Sequence, residues 1–397
     1  MKSIRANRLA ISIFFFTYGF STSNLISRLP ELQNIYGASN SKLGIILLCI
    51  ALGGITSASI LNSKQMAFER KKILFIAAFL GCILVTISPL VGGGWGTFPL
   101  FFIFGMTDGA KDIIMNEQAV ILENQYKKPL MSSFHAIFSI SLFLGAASGT
   151  QFEKFGVSLF NHLLIVSSGC LLLMLWGFHY FPENTQINLP EKENLPPSVS
   201  STKISLFLGA IAFCGMLCDS AMSDWAGIYT TQVIKADKVS AALALTVFMG
   251  GTALGRIIGD FLTYRLGRYR LLFLNNVVTI IGLCVLILTA QFYTALLGFF
   301  LVGLGISTIL PLVYSIAGDT KGDAPSVSIA KITGMGYAAY VVAPPVIGFL
   351  ADSFSLRIGF AFVLCWLVCM LLFVRKLRVL KTDISNLSHN EHTKVNF

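Results

Sequence analysis

The chain is built from apolar blocks of about 20 residues, and this pattern limits its fold more than any other feature. A bilayer core about 30 Å thick needs about 20 residues of helix to cross it. The blocks show no alternation of polar and apolar residues, so we expect helices rather than strands. Turn and charge signals place twelve helices near 9–28, 41–62, 73–91, 97–118, 132–152, 158–181, 204–233, 240–264, 270–289, 292–316, 326–351 and 355–375. The sequence therefore predicts an all-α membrane protein.

The composition agrees with this fold class. Of the 397 residues, 55% are hydrophobic and only 12% are charged, with a mean hydropathy of +0.75. Soluble domains carry about 25% charged residues, so this chain lacks the polar shell of a soluble enzyme or a nucleic-acid-binding domain. The eight cysteines all lie inside predicted helices without a metal or redox spacing. We therefore expect no metal, no cofactor and no enzymatic activity.

Lysine and arginine are concentrated in alternate connections. With the N-terminus in the cytoplasm, the inside segments hold roughly twenty basic residues and the outside loops about five: Arg28, Lys154, Lys235, Lys238 and Arg357. The positive-inside rule then places both termini of this multi-pass protein in the cytoplasm. The net charge of +10 reflects this topology and requires no nucleic-acid partner. The first helix reads as uncleaved, because no small-residue cleavage site follows it.

One polar segment divides the chain. Residues 182–203 are rich in proline and charge and cannot span a membrane. We predict a cytoplasmic linker here, between an N-terminal six-helix bundle at 1–181 and a C-terminal six-helix bundle at 204–378. A cytoplasmic tail is expected at 379–397.

The two predicted bundles resemble each other. A shift of roughly 198 positions lays Gly53-Gly54 near Gly250-Gly251. The same shift lays a set of three residues near its counterpart: Gly145, Gly149 and Glu153 near Pro344, Gly348 and Asp352. Internal repeats with a binding site between them are typical of secondary transporters, although glycines can also match by chance in apolar sequence.

The fourth predicted helix carries ionisable side chains near the membrane midplane, where they need a partner, a water-filled cavity or a function. A stripe about 80° wide and its flank contain Asp108, Asp112, Asn116, Glu123, Lys111 and Gln118. We interpret this stripe as the lining of an aqueous cavity in which Asp112 or Asp108 takes up and releases a proton. The alternative is that both carboxylates only neutralise Lys111 or an arginine of another helix.

Other helices supply further candidates. Asp219, near mid-depth of the seventh helix, is the second candidate for proton or solute binding. We expect Asp224-Trp225 to form an outer gate or the outer rim of the solute site. The alternative for Trp225 is an interfacial anchor. Asn24 and Arg28 mark the outer end of the first helix.

Two more groups carry charge near the cytoplasmic side. His135 could titrate near neutrality, or could cap or pack. The eighth helix ends with Gly255-Arg256 and Asp260, followed by Arg265 and Arg268. We expect ion pairs among these side chains, which we call the latch, and we expect them to break when the two halves move relative to each other. The alternative is that these charges pair only with their neighbours in the sequence. Pro311 and Pro344-Pro345 should kink the tenth and eleventh helices.

These motifs resemble the major facilitator superfamily, and within it the branch that contains the bacterial proteins MosC and YbjJ, distantly related to fucose permease. The eighth-helix ending is similar to the loop motif of that superfamily. The matching residues of the branch are Arg28-Leu-Pro30, Gly105-x3-Gly109-x2-Asp112-x2-Met115-Asn116-x-Gln118-Ala119, Glu123, Ser133-Phe134-His135-x2-Phe138-Ser139, Asp224-Trp225, Gly255-Arg256-x2-Gly259-Asp260 and Pro344-Pro345-x2-Gly348.

The resemblance implies alternating access in a 6+6 bundle, with helices 1, 4, 7 and 10 lining the cavity, and it supports roles for Asp112, Asn116 and His135. Lys111 and Asn24 depart from the branch, so the resemblance does not identify the solute. The fifth helix lacks the proline of the drug-antiporter signature, which argues against drug export.

The sequence therefore predicts a proton-coupled secondary active transporter that acts as a monomer on a small polar, sugar- or cyclitol-like solute. Uptake is preferred, and an antiporter that exports a metabolite or drug is the alternative. The predicted residues are, for proton coupling, Asp112, Asp219 and Asp108; for solute binding, Asn116, Gln118, Lys111, Asn24, His135 and Trp225; for gating, Arg256, Asp260, Arg265, Arg268, Asp224 and Arg28.

Overall fold

The computed structural model describes residues 4–61, 70–126, 130–181, 199–318 and 325–394. Across these ranges the chain is helical apart from short turns and contains no strand. The elements are α1 (Ile4–Ser27), α2 (Leu29–Ile35), α3 (Asn40–Leu61), α4 (Arg70–Ile87), a 3-10 turn (Ser88–Leu90), α5 (Thr97–Tyr126), α6 (Met131–Lys154), α7 (Leu159–Tyr180), α8 (Val199–Gln232), α9 (Lys238–Leu266), α10 (Arg268–Leu288), α11 (Phe292–Ile306), α12 (Ile309–Gly318), α13 (Pro325–Ser353) and α14 (Leu356–Lys394).

Eleven helices in the described part of the chain are long and apolar enough to cross a membrane. Helix α5, with 30 residues, is not among them because its middle turns carry Asp108, Lys111 and Asp112. Its length, about 1.5 Å per residue, is nevertheless ample for a crossing, and none of these three side chains is exposed. Helix α5 is the fourth membrane helix that the sequence predicts, and the predicted all-α membrane fold is confirmed.

The two halves, α1–α7 and α8–α14, pack their helices in the same order. In each half the first long helix lies against the fifth and sixth, and the second lies against the fourth. The backbone approaches correspond as well. Gly53 lies against the backbone of Phe102, and the equivalent Gly251 lies against that of Phe300. A Cβ atom at Gly53 would sit 2.1 Å from the Phe102 carbonyl oxygen, so this close packing requires glycine.

The second sequence match holds in position but not in contacts. Gly149 packs against Ser27 of its own half, whereas its counterpart Gly348 packs against Asn40 of the other half.

The two ends of the bundle differ in charge. One end, which we call the basic end, carries Arg5, Arg8, Arg70, Lys71, Lys72, Arg265, Arg268 and Arg270. We call the other the opposite end.

Several predicted helix boundaries differ from the structure. Helix α8 begins at Val199, so the last residues of the predicted linker are helical, while residues 182–198 lie outside the described part. Helix α14 continues through Lys394, into the predicted tail. The predicted tenth helix is broken as Pro311 indicates, since α11 ends at Ile306 and α12 begins at Ile309.

Candidate functional site

Side chains from both halves meet in a central space, at the middle turns of their helices. Asp112 comes from α5 and Tyr18 from α1, while Tyr337 and Tyr340 come from α13. Tyr18 lies within electrostatic range of Asp112, Tyr337 and Tyr340, and Tyr337 lies within range of Asp112. Tyr337 is 46% exposed, so the space beside its ring is not filled by protein.

Asp112 is half-buried on the first-half side of the central space. The Asn116 side-chain amide donates to Asp112 Oδ1 at 3.0 Å and to the Asp112 backbone carbonyl at 2.8 Å. No basic side chain of the described helices forms an ion pair with Asp112. The predicted proton-coupling and solute residues Asp112 and Asn116 are therefore brought together.

Asp108 and Lys111 form a separate pair inside the first half. Lys111 Nζ lies 2.6 Å from Asp108 Oδ1, and both side chains are buried. The same ammonium group lies 5.1 Å from the centroid of the Tyr18 ring. Mutual neutralisation, the alternative that the sequence left open, describes Asp108 and Lys111 in this structure but not Asp112.

On the second-half side, a cavity of about 90 Å³ opens between α8, α9, α13 and the break between α11 and α12. Its polar lining is Asp219, Thr252, Arg256, Ser307 and Tyr340, and the rest is apolar or glycine. The Tyr340 hydroxyl donates to Asp219 Oδ2 at 3.0 Å. Asp219 lies within electrostatic range of Arg256, but within the described chain the two form no direct ion pair.

Arg256 joins three elements around this cavity. Its Nη1 donates to Ser139 Oγ on α6 of the other half, and its Nε donates to the Ser307 carbonyl at 3.4 Å. That carbonyl is free because Pro311, four residues later, has no N–H to complete the helical hydrogen bond. The sequence predicted Arg256 as a gating residue at the helix end, whereas the structure places it in the central cavity.

The halves contact each other closely at the opposite end. The Asp352 carboxylate on α13 accepts hydrogen bonds from the backbone N–H groups of Asn40 and Ser41, at 3.0 and 2.7 Å. These are the first residues of α3. The Asn40 side-chain amide also donates to Gln232 Oε1 at 3.1 Å. The opposite end is therefore closed in this structure.

The gating residues predicted near this end have local roles. Arg28 is buried and pairs with Glu31 and with Glu153, whose Oε2 lies 2.6 Å from Arg28 Nε. Asp224 accepts a hydrogen bond from Ser220 at 3.0 Å. Trp225 is fully buried, so the interfacial-anchor alternative is wrong, and in this state its side chain does not line the cavity described above.

Two of the remaining predicted solute contacts lie apart from the central space. Asn24 is buried in the first half, where its Oδ1 accepts from Ser148 Oγ and meets His162 Nε2, both at 2.8 Å. Gln118 is also buried. His135, by contrast, is exposed and lies within electrostatic range of Arg256.

The predicted latch at the basic end is not formed among the described residues. Asp260 is exposed and makes no ion pair with Arg265 or Arg268 there. Arg265 instead lies over the Phe261 ring, 5.4 Å from its centroid, and Arg268 donates to the Ser315 carbonyl at 2.8 Å. The neighbouring residues 319–324 lie outside the described part.

Sequence reasoning missed Tyr18, Tyr337, Tyr340 and Asp352. The signal for the tyrosines was their position, because tyrosines of membrane helices concentrate at the interfaces and these lie in middle turns. Asp352 entered the sequence analysis only as the counterpart of Glu153 in the internal repeat, and its role gave no local signal, since its partners are more than 300 residues away in the chain. Among the described residues, no three His, Cys, Asp or Glu side chains form a group that could hold a metal ion.

Residues 208–395 match the family model described as Major Facilitator Superfamily. An uncharacterized MFS-type transporter of Yersinia pestis is 25% identical over 358 residues, which cover 90% of this chain and 92% of the relative. The membrane protein MosC of Rhizobium meliloti is 24% identical over 363 residues, covering 89% and 86%. The second half of the chain therefore carries a domain of the major facilitator superfamily, and the resemblance read from the motifs is confirmed by relatives that match nearly the whole chain. By these similarities the chain is a membrane transporter of small solutes rather than an enzyme.

The crystal structure of the nucleoside transporter NupG shares the fold of this transporter. The TM-score is 0.71 at 10% sequence identity, and the match covers 93% of this chain and 98% of the other. At this identity the likeness concerns the fold alone, and it agrees with the predicted pair of six-helix bundles.

Proposed function

We propose that this transporter moves a small polar, sugar- or cyclitol-like solute by proton-coupled alternating access in the bacterial cytoplasmic membrane. The observation that carries the proposal is the pair of acids on the central space. Asp112 comes from the first half and Asp219 from the second, and each has a neutral hydrogen-bond donor, Asn116 or Tyr340, in direct contact. The basic end faces the cytoplasm on the positive-inside rule.

Proton coupling follows from the change in water around these acids. A carboxyl group that loses water to a closing cavity favours its neutral form, and renewed contact with water favours the charged form. Neither acid is directly paired with a basic side chain of the described helices, so neither charge is held fixed. Alternation between two openings can therefore load a proton on one side and release it on the other.

The same space supplies the groups that a hydroxylated solute needs. Donors and acceptors come from the amide of Asn116, the hydroxyls of Tyr337 and Tyr340, and the side chains of Asp219 and Arg256. Because they belong to both halves, a bound solute would contact both, and its binding would be sensitive to their relative position.

The test is solute flux into proteoliposomes that contain the purified full chain, with and without an imposed pH gradient, across a panel of sugars and cyclitols. We expect gradient-driven accumulation of at least one solute. Asp112→Asn should lose this accumulation but keep exchange of labelled for unlabelled solute, because exchange requires no net proton movement. Asp237→Asn, which changes an exposed acid at the opposite end, is the matched control and should accumulate normally. Normal accumulation by Asp112→Asn would overturn its role as the proton site.

A further inference from the structure

Two basic side chains contact the groups of the central space, and they differ in how their charge is balanced. Lys111 is neutralised by Asp108 at 2.6 Å. Arg256 shares its cavity with Asp219, yet in the described part of the chain no carboxylate forms an ion pair with it. An unpaired cation at this depth is costly unless a ligand or water balances it.

The guanidinium group of Arg256 is held in place while part of it stays free. Its Nε–H points to the Ser307 carbonyl and one Nη1–H to Ser139 Oγ. Of the five N–H donors of a guanidinium, three remain, and the Arg256 side chain is exposed to the central space. Two parallel N–H groups match the two oxygens of a carboxylate, which is the strongest pairing that arginine makes.

The rest of the cavity has room for such a group and few competing donors. Its volume of about 90 Å³ exceeds the 10–15 Å³ or so that a single water needs. The hydroxyls of Thr252 and Ser307 are bonded to carbonyls of their own helices. Asp219, held by Tyr340, is thus left as an acceptor for a solute hydroxyl beside the bound anion.

We propose that Arg256 binds the carboxylate of the transported solute, so that the solute is a small hydroxy acid such as a sugar acid. This inference rests on the proposed function and narrows its substrate class. With a proton on Asp219 the cavity carries the net positive charge of Arg256 and attracts the anion. When Asp219 loses that proton, its carboxylate competes for Arg256 and the solute leaves, so the proton on Asp219 crosses together with the monoanion, in addition to the proton that Asp112 carries.

Other titratable groups lie within electrostatic range of Arg256 or Asp219 and contribute to the net charge around the cavity. They are Tyr340 on α13, His135 on α6, and Asp224 and Cys218 on α8. His135 is the one that could add positive charge beside Arg256. Its protonation would strengthen anion binding on the side that solvent reaches, which acts in the same direction as a proton on Asp219.

The experiment compares matched acids and neutral solutes on the purified full chain. Binding of gluconate, glucuronate, glucose, myo-inositol and glucose 6-phosphate is measured by calorimetry in detergent, and uptake of the same compounds is measured in proteoliposomes with and without a pH gradient. We expect a sugar acid to bind and to accumulate, with its neutral counterpart weaker in both assays. Arg256→Gln should weaken acid binding by about 10- to 100-fold, the loss of a charge-assisted pair. Arg270→Gln, an exposed basic residue on α10, should leave it unchanged.

The outcomes separate this inference from the proposed function. Gradient-driven uptake of a neutral sugar together with no binding of either acid overturns the inference and keeps the function. Arg256-dependent binding of an acid whose uptake ignores the pH gradient supports the inference and overturns proton coupling. Preferred binding of glucose 6-phosphate assigns Arg256 to a phosphate and overturns the carboxylate. No binding of any acid in the panel also overturns the inference.

Discussion

At the scale of single residues, the buried pair of Asp108 and Lys111 holds two charges that depend on each other. Their contact at 2.6 Å lies inside the first half, away from lipid. Removing one partner of such a pair leaves an uncompensated charge and costs about 3–5 kcal/mol, while replacing both partners by neutral residues is often close to harmless. The pair is thus a structural element beside the proposed transport site.

We therefore expect Lys111→Met to lower the thermal unfolding midpoint in detergent by a large margin. The double variant Asp108→Asn/Lys111→Met should recover most of this loss, because it removes the orphaned carboxylate as well. Scanning fluorimetry on the two variants and the parent measures the effect. A double variant as unstable as the single one would show that the charges do not stabilise each other.

The residue scale also shows what the sequence could settle about the site. The stripe of polar side chains on α5 could be recognised from the sequence. On a helix, residues three apart lie side by side whereas adjacent residues do not, so the spacing predicts that Lys111 pairs with Asp108 rather than with Asp112. The cavity position of Arg256 does not follow. It depends on Ser139 and Ser307, which lie 117 and 51 residues away in the chain.

At the scale of helices, the equivalent helices α3 and α9 receive their N-terminal caps from different places. The cap of α9 is Asp237, the residue just before it, which accepts a hydrogen bond from the Ser240 N–H at 2.7 Å. The backbone and side-chain hydrogen bonds from Ser240 hold the pKa of Asp237 below its usual value. The N–H groups at the start of α3 are instead bound by Asp352, from the other half. Opening the opposite end must therefore remove a cap from α3 but not from α9.

We expect Asp352→Ala to favour opening of the opposite end. A capping carboxylate contributes about 0.5–2 kcal/mol, which corresponds to a roughly 2- to 30-fold shift in an equilibrium. Hydrogen–deuterium exchange at the start of α3 should accelerate by that factor. The matched variant Asp237→Ala should accelerate exchange at the start of α9 and leave α3 unchanged. Equal exchange at Asn40 and Ser41 in the parent and in Asp352→Ala would contradict the cross-half cap.

Helix number and the break at Pro311 were predictable from the sequence because each depends on nearby residues. Apolar length predicts a crossing, and proline removes a hydrogen bond four residues back. The group that donates a hydrogen bond to the freed Ser307 carbonyl was not predictable, since Arg256 donates to it from another helix. The predicted latch of Asp260 is not formed among the described residues and stays a prediction, because local spacing cannot say which conformation of the transporter the chain adopts.

At the scale of the whole molecule, the structure is closed at the opposite end and accessible at its centre. Contacts between the halves include Asp352 with Asn40, and a hydrogen bond of 3.0 Å between the hydroxyls of Thr150 on α6 and Thr246 on α9. Arg256 and His135 are nevertheless exposed between the halves. Under alternating access the opposite end must open while the basic end closes, so α6 and α9 must separate at the two threonines.

A disulfide between these positions should therefore stop transport. In the variant Thr150→Cys/Thr246→Cys, built in a background without the eight native cysteines, the two sulfur atoms would replace hydroxyls that are already in contact. After oxidation we expect transport of the solute identified by the flux panel to fall to the background of empty vesicles, and reduction should restore it. Each single-cysteine variant, and a disulfide within one half at Asn275→Cys/Thr308→Cys, should keep transport under oxidation. Full transport by the cross-linked protein would mean that α6 and α9 move together here, and that the opening lies between α3 and α13 instead.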